Sequence, residues 1–359
     1  MSAGYEVGTV EAAAYTVPTD GPEADGTLSW DATTIVVVTV RTRAGTTGIG
    51  HTYGHECLTG LISGLLAPRV VGMDVRETST AWEAMRSAIR NLGRPGLCSM
   101  AIAAVDMALW DAKARLLGVP LHRLLGGSRA EVPVYGSGGF TTYSRDDLVA
   151  QLAGWVEQGI PRVKMKIGIS PQDDLARARA VRAEIGDDAE LYVDANGAYD
   201  QVTARRLGLR LLEEAGVSWF EEPVSSDDLR GLADLTRTLP LDVTAGEYGY
   251  HLEYFLAMAP CVDVMQADVT RCAGITEWLR VTAGTVRPVS AHCAPSAHVH
   301  VATVPPGLRH IEFFHDHVRI ERMLFDGVLE PVQGHLVPAE TEGNGLVLKA
   351  ADAERFRVA

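Results

Sequence analysis

Lys164 and Lys166 stand two residues apart in the apolar run RVKMKI. On a strand this spacing puts both amines on one face. Downstream, short apolar runs each close on a single acidic or imidazole residue: LYVDAN on Asp194, SWFEEP on Glu221, DVTAGE on Glu247, DVMQAD on Asp268, PVSAH on His292 and HIEFF on Glu312. Asp194, Glu221 and Glu247 end consecutive runs. Three carboxylates gathered in a partly buried site repel one another and lose hydration. A divalent cation removes that conflict, and an all-oxygen donor set suits Mg2+, with Mn2+ as the alternative, better than zinc. Two inward lysines beside such a cation need a negatively charged partner, which the carboxylate of a small-molecule substrate supplies. Burial and cationic neighbours lower a lysine's pKa, which makes it a base near neutral pH. His292 and Asp268 end neighbouring runs as an imidazole and carboxylate pair, in which the carboxylate fixes the tautomer and leaves the second nitrogen for proton transfer. Glu312, if protonated, can donate a hydrogen bond to developing negative charge; a salt bridge to Arg309 or His310 is the competing reading. Glu222 should point away from the face of Glu221 and is not counted as a ligand. Any one of the carboxylates alone reads as an ordinary ion pair, and His292 alone as a structural histidine.

The elements that position these residues follow from their beat. From Lys166 onward the gaps are 28, 27, 26, 21, 24 and 20 residues, room for one strand, one helix and two loops. Between the runs, Ser144 and Asp147 read as a capping box before Leu148, Leu152 and Trp155, and Gly159 ends that helix. Ser170, Pro171 and Asp173 read as N-cap, N1 and N3 of a helix with Leu175, Ala178, Val181 and Ile185 on one face and Gly186 at its end. A third helix carries Ala204, Leu207, Leu211 and Ala215 and stops at Gly216. Alternating strand and helix at this period predicts an α/β fold with right-handed units and a parallel sheet. Eight candidate strands, from VPVYGSGG near residue 132 to HIEFF, are enough to close a barrel, whose C-terminal strand ends share one open face.

Ahead of the barrel, residues 5 to 17 and 33 to 43 read as strands, and VPTDGPEADGTLSWD between them as a loop, either a solvated surface loop or a lid over the site. HTYGHE, at 51 to 56, offers His51 and Tyr53 as substrate contacts. Residues 57 to 67, 76 to 90 and 98 to 117 read as helices, the last with Ala101, Ala104, Ala108 and Ala112 on a narrow face suited to close packing, and with Asp106 and Asp111 as structural residues. The tail from about residue 321 has too few strands for a domain of its own and should pack back on the N-terminal unit. The 359-residue chain is 47% hydrophobic, enough for a large core, with net charge −14. So acidic a chain, without a Lys/Arg cluster, disfavours nucleic acid and anionic membrane as partners. Five cysteines without C-x-x-C spacing argue against a disulfide framework or zinc ribbon and for a reducing cytoplasm. The start MSAGYEV shows no leader pattern, and no long uncharged apolar run follows.

At these residues the chain resembles the mandelate racemase subgroup of the enolase superfamily. The resemblance rests on Lys164-x-Lys166, VDANGAY, FEEP, AGE, Asp268 before TRCAGIT, SAH and IEFF, and extends through TGIGH and AIAAVDMALWDAKARLLGVPLHRLLGG to GNGLVL. It implies a TIM-like (β/α)7β barrel over 127–320, an N-terminal α+β capping domain over 1–126, and a segment 321–359 that completes the cap. It implies Asp194, Glu221 and Glu247 as ligands of Mg2+, Lys166 as one acid/base with Lys164 beside the substrate carboxylate, His292 with Asp268 as the other, and Glu312 hydrogen-bonded to the enolate oxygen. Asn196, in VDANGAY, joins His51 and Tyr53 as a substrate contact. The expected reaction is removal of the proton α to a carboxylate, followed by loss of water from a hydroxy acid or sugar acid. The alternative is racemisation or epimerisation of a 2-hydroxy, amino or cyclic hydroxy acid. A homo-oligomer is expected on the same ground. Two other classes compete. A zinc hydrolase would use His298-x-His300 or His315-x-His317, but the first pair reads as helical, where residues two apart do not share a face, and the second follows strand eight rather than ending strand one. A non-catalytic protein on this fold would have lost a base or ligand, and none is missing.

Overall fold

The computed structural model describes residues 4–359. Met1–Ala3, the first part of the start in which no leader pattern is read, lie outside them. Strands β1 (Val7–Ala24), β2 (Ser29–Thr42) and β3 (Thr47–Tyr53) form an antiparallel sheet. The β-branched run TTIVVVTV suits a pleated, half-buried surface. The loop expected between residues 17 and 33 is instead an extension of the β1–β2 hairpin. Pro18 pairs with Ala32, and after a register shift Glu23 pairs with Trp30 and Ala24 with Ser29. The shift absorbs Pro22, which has no N–H for a ladder. Asp25 then closes the turn, its Oδ1 accepting from the N–H groups of Thr27 at 2.5 Å and Leu28 at 2.7 Å. Behind the sheet, the helices Thr78–Ala88 and Leu97–Leu116 enclose a core with Val36, Val38, Val40 and Trp82. The alanine face of the second helix meets β3 closely: a Cβ at Gly48 would lie 2.2 Å from Ala108 O, and one at Gly50 2.2 Å from Ala104 O.

The second unit is a closed barrel of β4 (Val132–Gly138), β5 (Arg162–Lys166), β6 (Glu190–Asp194), β7 (Val217–Glu221), β8 (Asp242–Ala245), β9 (Val264–Ala267), β10 (Val289–Ala291) and β11 (Leu308–Phe314). All neighbours are parallel and β11 pairs with β4 to close the ring. Lys166 is in register with Asp194, and Asp194 with Glu221, so these strand ends lie level. Tyr135, Tyr192 and Trp219 fill the interior below them, the last two stacked at 5.2 Å. The helix Arg145–Glu157 starts as expected, with Ser144 Oγ accepting from Asp147 N. The next, Pro171–Ile185, does not: Ser170 makes no side-chain cap, and Asp174 accepts from Gly168 N and Ser170 N instead.

Cap and barrel are fastened by buried polar contacts. Asp106 accepts from Thr276 N at 2.9 Å and Thr276 Oγ1 at 2.7 Å. It thereby caps from outside the helix Ile275–Gly284, whose own N-cap is Gly274. Asp111 accepts from Ile49 N and from Asn344 N of the tail. The structural roles expected of both aspartates are those observed. The tail packs back on the cap through Ile320, Leu324, Phe325 and Leu346 against Tyr15, Val17, Ile35 and Val37, and Ala14 exchanges backbone hydrogen bonds with Val358 and Ala359. It also pairs His335–Leu336 with the start of β4, a contact with the barrel that sequence did not suggest. The helix His315–Leu324 runs across residue 320. Among the described residues no helix is long and apolar enough to cross a membrane.

The hairpin tip rests on the barrel mouth. A Cβ at Gly26 would lie 2.6 Å from Ile167 O and 2.8 Å from Gly168 Cα, and backbone cannot yield as a side chain can. Gly26→Ala should therefore lift the tip, quickening cleavage after the buried Glu23 by a Glu-specific protease while far-UV circular dichroism stays the same; unchanged cleavage would show that the tip is not held there. A second prediction concerns Asp106, whose carboxyl burial pushes from 3.8 up to about 7 against the hydrogen bonds from Thr276. The folded chain thus holds this proton to higher pH than the unfolded chain, so ionisation of Asp106 subtracts stability as pH rises from about 4 to about 7. The near-isosteric Asp106→Asn has no such term. Its stability relative to the parent, from urea unfolding, should rise across that window, and a pH-independent difference would refute the assignment.

Candidate active site

A cavity of about 280 Å3 opens at the C-terminal ends of the strands, lined by Lys166, Asn196, Glu247 and His292 from the barrel and by Trp30 and Tyr53 from the cap. Asp194, Glu221 and Glu247 are buried and present oxygens that all lie within 4.8 Å of one another. Glu247 Oε2 makes no hydrogen bond although buried, with His292 Nε2 at 3.4 Å. Converging hard oxygens with one left unpartnered fit a Mg2+-type cation. On β5 the pleat sends Val163 and Met165 into the outer core and both lysines inward. Lys164 Nζ lies 2.6 Å from Glu221 Oε1, 2.8 Å from Glu312 Oε1 and 3.4 Å from Asp194 Oδ2. Lys166 Nζ donates to Asp194 Oδ2 at 2.5 Å.

These contacts correct one expectation. Burial pulls both lysines down, but Glu221 and Glu312 around Lys164, and Asp194 beside Lys166, hold the amines above their ordinary range. Both lysines are counter-charges of the carboxylates; Lys166 lines the cavity, whereas Lys164 is fully buried behind it. In turn Asp194, though buried, is held at about 2 by the two lysines, while burial and repulsion from Asp194 push Glu221 up to about 8.

His292 and Asp268 form the expected pair, Nδ1 to Oδ2 at 2.9 Å. Asp268 Oδ1 accepts from Thr270 N and Thr270 Oγ1, both at 2.7 Å. Burial favours neutral His292, but Glu247 and Asp268 outweigh it and raise its pKa above the ordinary value. Lys166 and His292 enter from β5 and from just past β10, three strands apart one way around the ring and five the other. Glu312 does not pair with Arg309 or His310. Arg309 binds Asp242, His310 meets Ser290, and Glu312 takes Lys164, Ser137 Oγ and Cys293 N. Burial raises Glu312, but Lys164, His292 and Lys166 bring it well below its ordinary value, so it is an acceptor here and not the protonated donor considered from sequence.

Asn196 lines the cavity with its Oδ1 unpartnered and its N–H donating to Asp194. Tyr53 lines it too, stacked on His317. His51 does not: two residues further from the strand end, it is buried against Phe325 with Nε2 3.7 Å from Glu321. Glu222 stays outside the converging three-carboxylate group, as expected, though not by strand alternation: the strand ends at Glu221 and Glu222 has a φ of 38°. Its buried carboxyl is raised by burial and then by Glu247, Asp194 and Glu221. In neither histidine pair do the two rings converge on one point. His298 accepts from Val269 N while His300 turns to Asn344 O, and His315 binds Asp20 while His317 takes Ala294 N. Sequence reasoning missed Tyr248, Arg271 and Cys293 in the lining. Two of them directly follow site residues, and Arg271 is three after Asp268, where a turn brings it to Glu247 at 3.3 Å.

Comparison with known proteins agrees with this geometry. Residues 9–126 match the mandelate racemase/muconate lactonizing enzyme N-terminal domain, and residues 147–353 the enolase C-terminal domain-like family. The chain is 31% identical to L-talarate/galactarate dehydratase of Salmonella typhimurium over 88% of its own length and 80% of the relative's. It is 32% identical to D-galactarolactone cycloisomerase of Agrobacterium fabrum over 72% and 70% respectively. A mandelate racemase/muconate lactonizing enzyme-like protein from Rubrobacter xylanophilus superposes with a TM-score of 0.96 at 48% identity, covering 98% of this chain and 100% of that one. A racemase from Streptomyces coelicolor A3(2) with bound magnesium gives 0.93 at 26% identity, with coverage of 98% and 100%. With both parts matched in order and relatives of this identity along most of its length, the chain belongs to the mandelate racemase/muconate lactonizing enzyme group of the enolase superfamily.

Proposed function

We propose that this enzyme abstracts the proton α to the carboxylate of a sugar acid and then eliminates water to give a 2-keto acid. The observation that carries the reading is the placement of Lys166 and the His292–Asp268 pair on different sides of one cavity, with three buried carboxylates between. Asp194, Glu221 and Glu247 would hold Mg2+, an ion bound in the Streptomyces coelicolor racemase structure, or Mn2+. The bound cation supplies positive charge where the enediolate oxygens become negative. Lys164, fixed by Glu221 and Glu312, offsets charge on the substrate carboxylate from the barrel floor. Were Asp194 also to serve as a ligand, it would attract the Lys166 ammonium less, and burial would then favour the neutral amine that can accept the α-proton. His292, protonated with the help of Asp268, gives its Nε2 proton to the β-hydroxyl. The α C–H and β C–O bonds break, water leaves, and the resulting enol tautomerises to the keto acid. A second reading uses the same residues: if His292 returns a proton to the α-carbon from the other side, the product is an epimer. That a racemase and a cycloisomerase are among the similar proteins favours keeping it.

Proton NMR of hydroxy acids and sugar acids incubated with the Mg2+-loaded enzyme in D2O separates the two. Dehydration replaces the α-proton signal with 2-keto-acid methylene signals, whereas epimerisation washes deuterium into the α-position with the carbon framework intact. Exchange in no acid of the library, by a protein that also fails to bind Mg2+, would sink both. Lys166→Ala should lose about 10²–10⁴-fold in turnover and all α-proton exchange. His292→Asn should keep α-proton exchange and lose product. Loss of exchange in both variants would mean that the two groups do not divide the steps as assigned. Stripping divalent cations with EDTA should abolish turnover, with recovery on adding Mg2+, and Asp194→Asn should fail to recover because a ligand is gone.

A further inference from the structure

A second group of ligand atoms meets at the barrel mouth: His292 Nε2, Cys293 Sγ and Glu312 Oε2, on three buried side chains. Sγ lies 3.2 Å from Nε2 and 3.4 Å from Oε2, and Nε2 lies 3.8 Å from Oε2. A tetrahedral zinc ion with bonds of about 2.3 Å to sulfur and about 2.0 Å to nitrogen and oxygen sets its ligands about 3.3–3.6 Å apart. The two edges to sulfur are within a few tenths of an ångström of that, and the edge from Nε2 to Oε2 is about half an ångström longer. Its members are also oriented from outside. Asp268 holds His292 Nδ1 at 2.9 Å, the carboxylate partner that imidazole ligands of metals generally have. Glu312 is fixed through its other oxygen by Ser137 Oγ at 2.5 Å and Lys164 Nζ at 2.8 Å. Cys293 itself sits at a φ of 49° and Ala294 at 41°, a turn that side-chain-bearing residues rarely adopt and that Cys293 N secures by donating to Glu312 Oε2.

We propose that His292, Cys293 and Glu312 form a second cation site, selective for a thiophilic divalent ion of the zinc class and open to the cavity at the fourth position. Its nitrogen, sulfur and oxygen donors suit zinc, whereas the three carboxylates nearby suit a hard cation. With neutral imidazole, thiolate and carboxylate, the ion's two charges are balanced, and binding releases to solvent the thiol proton and any proton held on His292 Nε2. An ion there occupies Nε2 and blocks proton transfer. That consequence rests on the reading of His292 as acid/base, while the binding does not.

The test uses the full chain saturated with Mg2+ and carrying Cys57→Ser, since Cys57 is exposed. Titration with Co2+ should develop a thiolate-to-metal charge-transfer band that Zn2+ abolishes by displacement. The band should be absent in Cys293→Ser and Cys293→Ala, with intact Mg2+ binding showing that the variants are folded. No band in the parent, or a band that survives both substitutions, overturns the site. With an active substrate in hand, Zn2+ should inhibit the parent at concentrations at least about tenfold below those that inhibit either variant. Binding of zinc without inhibition would confirm the site and remove His292 from the proposed reaction.

Discussion

The amine of Lys164 sits within 3.4 Å of three buried carboxylates, those of Asp194, Glu221 and Glu312, and the rest of the barrel mouth is arranged around that balance. Removing one partner of a buried ion pair typically costs about 3–5 kcal/mol, because the other charge remains buried and uncompensated. Here a single cation is shared, so its loss would leave Glu221 and Glu312 without it and Asp194 with Lys166 alone. The adjoining groups extend the alternation: Lys166 against Asp194, Arg271 against Glu247 and Asp268, His292 against Asp268. Glu222 and Glu247 each retain a buried oxygen without a hydrogen bond. Negative charge is therefore in excess at the point where a cation fits, which is a physical reason for metal affinity independent of any relative.

That alternation was legible in sequence because a barrel converts a one-dimensional rhythm into a ring. Residues that close short apolar runs at a spacing of one strand and one helix must arrive at the same rim. Asp194, Glu221, Glu247, Asp268, His292 and Glu312 could be named on that ground. What the rhythm could not convey was the conformation just past each strand end. Glu222 takes a left-handed φ and escapes the strand alternation, and Cys293 does the same one residue after His292. Ser170 looked like an N-cap, but Asp174, four residues on, reaches its backbone and that of Gly168. The hairpin tip was hidden for a similar reason: prolines and acidic residues read as loop, although a register shift lets the ladder resume beyond Pro22. His51 was misplaced because burial beneath the tail depends on how the last residues fold back, which no local pattern records.

The union of cap and barrel explains why residues so far apart make one site. Gly48 and Gly50 let β3 lie against an alanine face, and Asp106 and Asp111 of that same helix then reach out to Thr276 and Asn344. Small residues fix the distance and the aspartates fix the direction. The hairpin is held further at its tip, where Gly26 rests on the barrel mouth and Thr141 N donates to Ala24 O.

The same union separates chemistry from recognition. Lysines, carboxylates and the imidazole all come from the barrel, whereas Leu28, Trp30, Thr33, Thr34 and Tyr53 come from the cap. Several polar groups of that wall are already engaged: Asp25 closes its own turn and Thr33 donates to Asp316. The side chains left to meet a substrate are therefore apolar surfaces such as Trp30 on one side and, on the other, barrel groups such as Asn196 with its unpartnered Oδ1. A hydroxyl in this cavity finds a partner at groups such as Asn196 and none against Trp30 or Phe314, where a polar group buried without a partner loses more than the contact returns. The cap hairpin thus shapes one wall of the cavity without contributing the Lys166, Glu247 or His292 that line the other.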